Sequence, residues 1–345
     1  MVGWWHRRFG LVVGALIAVQ ALSGAILAAV SLTTHEAPAP VPSGLAIDLD
    51  AAVERAEQLN VGSVVRVDLP TVRDLAYTVR MRKDDGTVLV TIVDGSQGLA
   101  SAPVPLLAAP VQFLTRFHHD WFAGDAGTWA LAVVGVIGLG LLGTGLFIWW
   151  PRASDWRRAL SVVGRRGGIA YWLSLHRVIG ALSLVLVLPV LLSGTALALR
   201  GPIQALFAEP LPGPAADRPE AAPRLETLVA RAGAAIADMH PTDLRLRSDT
   251  VLVVMKSAGT FHTGRVWLSR STGEILRKHD HQTAPTNVMV FDFLLRLHDG
   301  VILSRLGIGF VLIAGVAVLG SYGAGVALWL RRRRRKAGSV RQPAT

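Results

Sequence analysis

The sequence predicts a membrane protein of mixed α+β class. Its four transmembrane helices are arranged as two tandem repeats, with two small extracytoplasmic helix-plus-sheet modules. Three observations carry this. Hydrophobic residues make up 51% of the 345 residues and charged ones only 17%, with a mean hydropathy of +0.44; a soluble chain carries nearer a quarter charged. Four apolar stretches, Phe9–Leu32, Gly127–Trp150, Tyr171–Leu199 and Leu306–Leu330, each match the roughly 20 residues that cross a bilayer core. The chain also resembles itself at fixed offsets. At i+170, His6-Arg7-x-x-Gly10 falls on His176-Arg177-x-x-Gly180, Ser23-Gly24 on Ser193-Gly194 and Leu27-Ala28 on Leu197-Ala198. At i+180, Arg116-x-His118 falls on Arg296-x-His298, and Gly127, Gly135, Gly140, Gly143, Gly145 and Trp149 fall on Gly307, Gly315, Gly320, Gly323, Gly325 and Trp329.

Residues 1–32 form the first span. Their basic start, apolar run and small residues at Ala28-Ala29 imitate a signal peptide. The run is long for one, and its counterpart in the third span lies mid-chain, so the segment is expected to be retained. Residues 33–110 form the first module, tethered by the Pro-rich linker Ala37–Pro42. Residues 48–59 have helical apolar spacing, and Ser63–Leu69, Leu75–Arg82 and Val88–Val93 read as strands, with Asp84-Asp85-Gly86 as a hairpin turn. Residues 111–150 are a His-bearing segment and the second span; 151–170 are a basic loop; 171–200 are the third span. Residues 201–284 repeat the module after the linker Pro210–Pro223, with a helix at Arg224–Ala237, strands at Leu244–Arg247, Val251–Lys256 and Gly264–Leu268, and a turn at Ser271–Glu274. Residues 285–330 hold the second His-bearing segment and the fourth span, and 331–345 are a basic tail.

The net charge of +11 suggests nucleic acid until its distribution is read. The N-terminus, the loop 151–177 and the tail hold fifteen basic residues against one acid, Asp155, so these segments carry +14 and the rest of the chain sums to −3. Positive loops stay in the cytoplasm. Both termini and the middle loop are therefore expected on the cytoplasmic side of a bacterial inner membrane, with both modules on the periplasmic side. The basic excess is a topology signal, and no nucleic-acid partner is expected.

The chain has no cysteine, which excludes disulfides, thiolate nucleophiles, iron–sulfur clusters and covalent haem attachment. The residues that stand out are histidines. His6 and His176 lie at the cytoplasmic ends of spans 1 and 3; His118 and His298 lie just before spans 2 and 4, on the other side. If equivalent helices face each other across a pseudo-twofold axis, His6 meets His176 and His118 meets His298. Two imidazoles from opposing helices are what a six-coordinate b-type haem needs, so two haems b are expected, one near each membrane face. Gly10 and Gly24 fall on the face of His6 and leave room for a porphyrin or a close helix. The bland alternative is that these histidines snorkel to the headgroups and the glycines serve plain packing.

His119 is an alternative ligand or a supporting donor. Arg116 and Arg296 suit either haem propionates or lipid phosphate, and Arg7 and Arg177 complete the candidate cofactor-binding set. His35, His240, His262, His279 and His281 lack metal-ligand spacing and read mostly as surface residues, with a metal or substrate role left open for His279 and His281. A hydrocarbon core of about 30 Å is too wide for one efficient electron hop, which gives two cofactors in series a purpose. No nucleophile elbow, zinc-protease motif, P-loop or dinucleotide fingerprint stands in context.

Trp5-His6-Arg7-x-x-Gly10 with Ser23-Gly24, together with Phe117-His118-His119-Asp120-Trp121-Phe122-Ala123-Gly124, resembles the PepSY-associated transmembrane family. There W-x-x-x-H-R-x-x-G opens a span and L-H-x-D-L-x-x-G precedes the next. Both outer modules are similar in pattern to PepSY domains. The sequence departs from the family in placing Trp4 and Trp5 directly before His6, and in the degenerate Leu297-His298-Asp299-Gly300. The resemblance implies an iron-regulated inner-membrane protein of the ferric-siderophore reductase type. Such a protein passes electrons from an unidentified cytoplasmic or quinol donor to a periplasmic ferric chelate. Two other readings remain open: a membrane-anchored PepSY regulator or inhibitor of a peptidase, and a non-redox accessory subunit for metal-chelate uptake. Histidines repeated at matching depths argue against a mere anchor. Trp121, Phe122 and Trp267 either face a chelate or belong to interfacial aromatic belts.

Overall fold

A computed structural model describes residues 1–34, 48–72, 74–207, 222–257 and 262–340. The linker Ala37–Pro42, residues 210–221 of the second linker, His35 and Arg341 lie outside the described residues. Helix α1 (Val2–Thr34) leads to α2 (Leu49–Glu57), strands β1 (Ser63–Asp68), β2 (Tyr77–Arg82), β3 (Val88–Val93) and β4 (Val104–Pro105), then α3 (Pro110–Asp120) and α4 (Gly124–Trp149). The short α5 (Trp156–Ala159) precedes α6 (Ile169–Ala198), α7 (Arg200–Leu206) and α8 (Leu225–Ala235). Strands β5 (His240–Leu246), β6 (Thr250–Lys256), β7 (Gly264–Ser269) and β8 (Ile275–His279) follow, then α9 (Thr286–His298) and α10 (Ser304–Val340). The chain divides into a helical unit, residues 1–35, 114–202 and 294–345, and a sheet unit, residues 36–113 and 203–293.

In the helical unit α1, α4, α6 and the segment Val301–Arg335 are long and apolar enough to cross a membrane. Their outward positions are apolar side chains that water would not tolerate in such number: Val12, Phe147, Val185 and Leu306 are 70%, 73%, 78% and 75% exposed. Inward positions are small, as in Ala18, Ser23, Ala25 and Ala28 of α1 and Gly127, Ala132, Gly135 and Gly138 of α4. This inversion suits helices packed in lipid, where close backbone approach replaces hydrophobic burial as the source of attraction. Helix α10 packs against α1 and α6, and α4 packs against the same two, so α1 and α6 stand diagonally opposed. Two contacts fix the approach. A Cβ on Gly135 would lie 2.2 Å from Thr195 Oγ1, and one on Gly315 would lie 2.9 Å from Ala25 Cβ. Gly135 and Gly315 are matched at the 180-residue offset, Ala25 and Thr195 at the 170-residue offset.

The helices run beyond the apolar stretches that announce them. Helix α1 starts at Val2 instead of Phe9, and α10 carries Arg331–Arg335 as helix. Arginine is a good helix former, so a span already nucleated propagates through it.

The sheet unit is one eight-stranded antiparallel sheet in the order β4-β3-β2-β1-β5-β6-β7-β8. The strands that the sequence divides between two modules meet where β1 pairs with β5, Val67 opposite Leu244. Helices α2 and α8 cover one face. Ala52, Val53 and Ala56 from α2 and Leu228 and Ala232 from α8 share a buried core with Val67, Val79, Leu244, Val253 and Val266. Asp48 caps α2, its side chain accepting from Ala51 N at 3.0 Å. Asp50 accepts from Leu225 N at 2.8 Å and Glu226 N at 3.1 Å, capping α8 from the neighbouring helix. Strand β8 is not in the sequence reading; its Ile-Leu-Arg-Lys-His run has no alternation to announce an edge strand.

Candidate functional site: two histidine pairs in the helical unit

Each histidine pair draws one ring from each half of the chain. His6 of α1 and His176 of α6 have ring centres 6.3 Å apart, and His118 of α3 and His298 of α9 have ring centres 6.0 Å apart. The pairs occupy different levels. Gly24, which lies against His118, is eighteen residues beyond His6 on α1, or about 27 Å at 1.5 Å per residue.

All four rings use the same nitrogen in the same way. His176 Nδ1 lies 2.8 Å from the Ser321 carbonyl, and His298 Nδ1 lies 3.0 Å from the Val190 carbonyl. A carbonyl only accepts, so both Nδ1 atoms carry the proton. Thr144 Oγ1 already donates to the Gly140 carbonyl at 2.8 Å, so at 3.0 Å it accepts from His6 Nδ1. Ser23 Oγ donates to the Gln20 carbonyl and accepts from His118 Nδ1, both at 2.8 Å. Among the described residues no hydrogen bond engages any of the four Nε2 atoms. An Nδ1–H held by an oxygen leaves Nε2 with its lone pair, and this is how proteins orient imidazoles that bind metals. Burial, and then the neighbouring His298 and His119, lower the His118 pKa to about 3. Burial lowers that of His298 too. Burial thus favours the neutral form of both rings, the form a metal ligand requires.

Glycines make space for these rings. A Cβ on Gly24 would come within 3.0 Å of His118 Cε1, on Gly194 within 2.7 Å of His298 Cε1, and on Gly145 within 3.1 Å of His6 Cε1. On Gly325 it would come within 3.5 Å of His176 Nδ1. Gly24 makes its room at the ring of His118, eighteen residues along α1 from His6, and a Cβ on Gly10 would meet nothing within 4 Å.

The other candidates divide. His119 is exposed, and the ring that faces His298 is that of His118. Arg116 pairs with Asp120 at 3.0 Å and Arg296 with Asp299 at 3.6 Å, while Arg7 and Arg177 are exposed. Three features escape the sequence reading. Gln20 donates to the His118 carbonyl at 2.6 Å and accepts from Trp121 Nε1 at 3.0 Å, tying that end together. Thr144 and Ser321 hold the other pair. Trp172, one helical turn before His176, has a buried Nε1 with no hydrogen-bond partner among the described residues. The W-x-x-x-H spacing of Trp172 and His176 was a signal available in the sequence.

The donor set fits a bis-imidazole metalloporphyrin. Imidazole nitrogen bonded to a metal at about 2 Å puts the ring centre about 3 Å from it, so two opposed rings stand about 6 Å apart. The unsatisfied Trp172 N–H is a donor of the kind a porphyrin carboxylate accepts from. The one acidic group with metal-binding reach among the described residues, Asp48, Asp50 and Glu226, lies in the sheet unit, and its two aspartates are engaged as helix caps and with Arg224.

Compared with known families, the chain matches the PepSY-associated TM region, over residues 3–270 and 204–345. The chain belongs to that family. It is a multi-pass membrane protein, and its spanning helices imply a lipid bilayer as their solvent. No curated protein matches it. Within this PepSY-associated TM protein, His6-Arg7 sits on α1 and His176-Arg177 on α6, while His118 lies on α3 and His298 on α9.

Proposed function

We propose that this protein carries electrons across the bacterial inner membrane through two bis-histidine b-type haems and delivers them to a periplasmic ferric chelate, releasing Fe(II). The observation that carries the reading is the recurrence, at both levels of the helical unit, of two imidazoles about 6 Å apart with Nδ1 held by an oxygen and Nε2 unengaged. Bound haem supplies reversible one-electron chemistry at potentials set by its ligands and surroundings. The chain's own residues do the rest. His6 and His176 hold one site and His118 and His298 the other; Ser23, Thr144 and the carbonyls of Val190 and Ser321 keep the ligating tautomer; apolar helices exclude water between the levels.

The basic N-terminus, middle loop and tail support a cytoplasmic location for both termini, which makes the His6–His176 end the point of electron entry. The residues matched at 170 and 180 positions make equivalent contacts, which supports the descent of the two halves from one repeat. The electron donor is a cytoplasmic protein or a quinol.

The test is a dithionite-reduced minus oxidised spectrum of the detergent-purified chain with haem quantified. Sharp low-spin b-type bands at about two haems per chain are expected. A colourless protein from haem-replete cells would overturn the reading.

A further inference from the structure

The end of the helical unit that bears His6 and His176 also carries the chain's surplus charge. Arg7 and Arg8 lie on α1, Arg165 and Arg166 in the loop between α4 and α6, and Arg331–Arg335 on α10. Among the described residues no carboxylate pairs with any of them. In the sheet unit, by contrast, Arg66, Arg80, Arg224, Arg245 and Arg265 are each paired with an aspartate. On α10 the five arginines are consecutive, so Arg331 has Arg334 and Arg335 as helical neighbours, and Arg332 has Arg335. Like charges at that spacing destabilise a helix. The counter-charge for this one has to come from outside the chain.

The loop between α4 and α6 is folded, and its folding gathers charge at one spot. Trp156 packs edge-on against Trp149 at 5.4 Å and Trp150 at 5.8 Å, and Trp149 Nε1 donates to the Ala159 carbonyl at 3.3 Å. Further on, Ser174 Oγ of α6 accepts from Val163 N at 3.0 Å. Gly168 N donates to the Arg165 carbonyl at 2.9 Å, closing a turn over Arg166 and Gly167. The guanidinium of Arg331 rests on that turn: a Cβ on Gly167 would lie 3.3 Å from its Nη2. Two exposed arginines of the loop and one of α10 thus share a single patch. Indoles accompany the guanidiniums at this end, with Arg8 over the Trp4 ring at 4.4 Å and Arg333 over the Trp329 ring at 5.2 Å. That combination suits the headgroup level of a bilayer. Fixing topology needs positive charge alone; it does not need a pinned turn with an arginine from another helix laid on it.

We propose that Arg165, Arg166 and Arg331 form a site for the headgroup of an anionic phospholipid, one whose phosphodiester has no compensating cation, as in phosphatidylglycerol. The phosphodiester oxygens accept from the guanidinium forks, whose planar geometry suits them. The acyl chains lie along the outward faces of α6 and α10, where Val185 and Val316 are exposed. The lipid phosphate thereby bridges the start of α6 and the basic end of α10 and supplies the counter-charge that the chain lacks there. The inference does not rest on the electron-transfer reading, and either can fail alone.

The experiment titrates the full-length chain in a neutral detergent with phosphatidylglycerol and, separately, phosphatidylcholine, both with brominated acyl chains. Binding is read as quenching of tryptophan fluorescence. The anionic lipid is expected to bind at least about fivefold more tightly, the factor that one basic side chain near an anionic headgroup supplies. The difference is expected to shrink with added salt. Arg165→Gln and Arg331→Gln are each expected to weaken the anionic lipid by about fivefold, and Arg331→Lys to keep most of its affinity. Arg305→Gln, at the other end of α10, is expected to leave it unchanged. Inorganic phosphate at matched concentration is expected not to compete, since it has no acyl chains. The lipid comparison and the salt series need no variant, and a thermal melt of each variant separates lost binding from lost folding. Equal affinity for the two lipids, an anionic preference unchanged in folded Arg165→Gln and Arg331→Gln, or displacement of the lipid by inorganic phosphate would overturn the proposal.

Discussion

Ser23 makes two hydrogen bonds with one hydroxyl, donating to Gln20 and accepting from His118. Ser23→Ala removes the acceptor and frees the His118 ring to rotate. Loss of such a partner typically costs 10–100-fold in metal affinity, so, if the proposed haems are bound, the one at that end is expected to be lost at least about tenfold faster to a haem-scavenging protein, while the other is retained. Gly194→Ala acts on the opposite ligand, since its Cβ would enter the 2.7 Å space beside His298; a changed low-spin spectrum in chain that still inserts is the expected result. Trp172→Phe removes an indole N–H that has no partner among the described residues and is expected to loosen the haem proposed at the His6–His176 end. Trp149→Phe, whose indole N–H already donates to the Ala159 carbonyl, is the control. The histidines themselves are legible in the sequence because they recur at fixed offsets. Their supporting atoms are not, since two of the four acceptors are backbone carbonyls, which any residue type supplies.

At the level of elements, the spans are legible because twenty apolar residues have few other uses in a chain of this hydropathy. Helix ends are less so: neither the start of α1 nor the extension of α10 is marked by a breaker. The pairing of β1 with β5 is invisible to periodicity, since it joins strands about 180 residues apart through backbone groups, and β8 lacks alternation. Close approach of elements yields a direct test. Gly135→Leu forces α4 away from Thr195 on α6, an overpacking expected to cost about 1–3 kcal/mol, read as a lower unfolding temperature in detergent. The cap of α2 yields another. The hydrogen bond from Ala51 N holds the Asp48 carboxyl below its ordinary range. Its stabilising contribution is therefore complete above about pH 4, the unfolded value, and is lost as pH falls through the lower folded value. Asp48→Asn is expected to flatten that acid limb of the stability curve of the sheet unit, measured by circular dichroism.

For the molecule as a whole, charge placement predicts topology. Fusions of a periplasm-dependent phosphatase after residue 100 or residue 250 are expected to be active, and a fusion at the C-terminus inactive; the reverse pattern would invert the proposed direction of electron flow. The way the halves interlock has a bearing on biogenesis. Each histidine pair takes one ring from before the loop at 151–168 and one from after it, and His176 finds its Nδ1 acceptor on α10. Neither site is whole while the ribosome is still making the first half, and the His6–His176 site is not fully braced until the last helix is inserted. On the proposed function, haem loading would then be a late, post-translocational event, and a chain stalled before α10 would sit in the bilayer without a complete His6–His176 site. Two separately expressed halves, split in that loop, could still assemble the sites by meeting in the membrane.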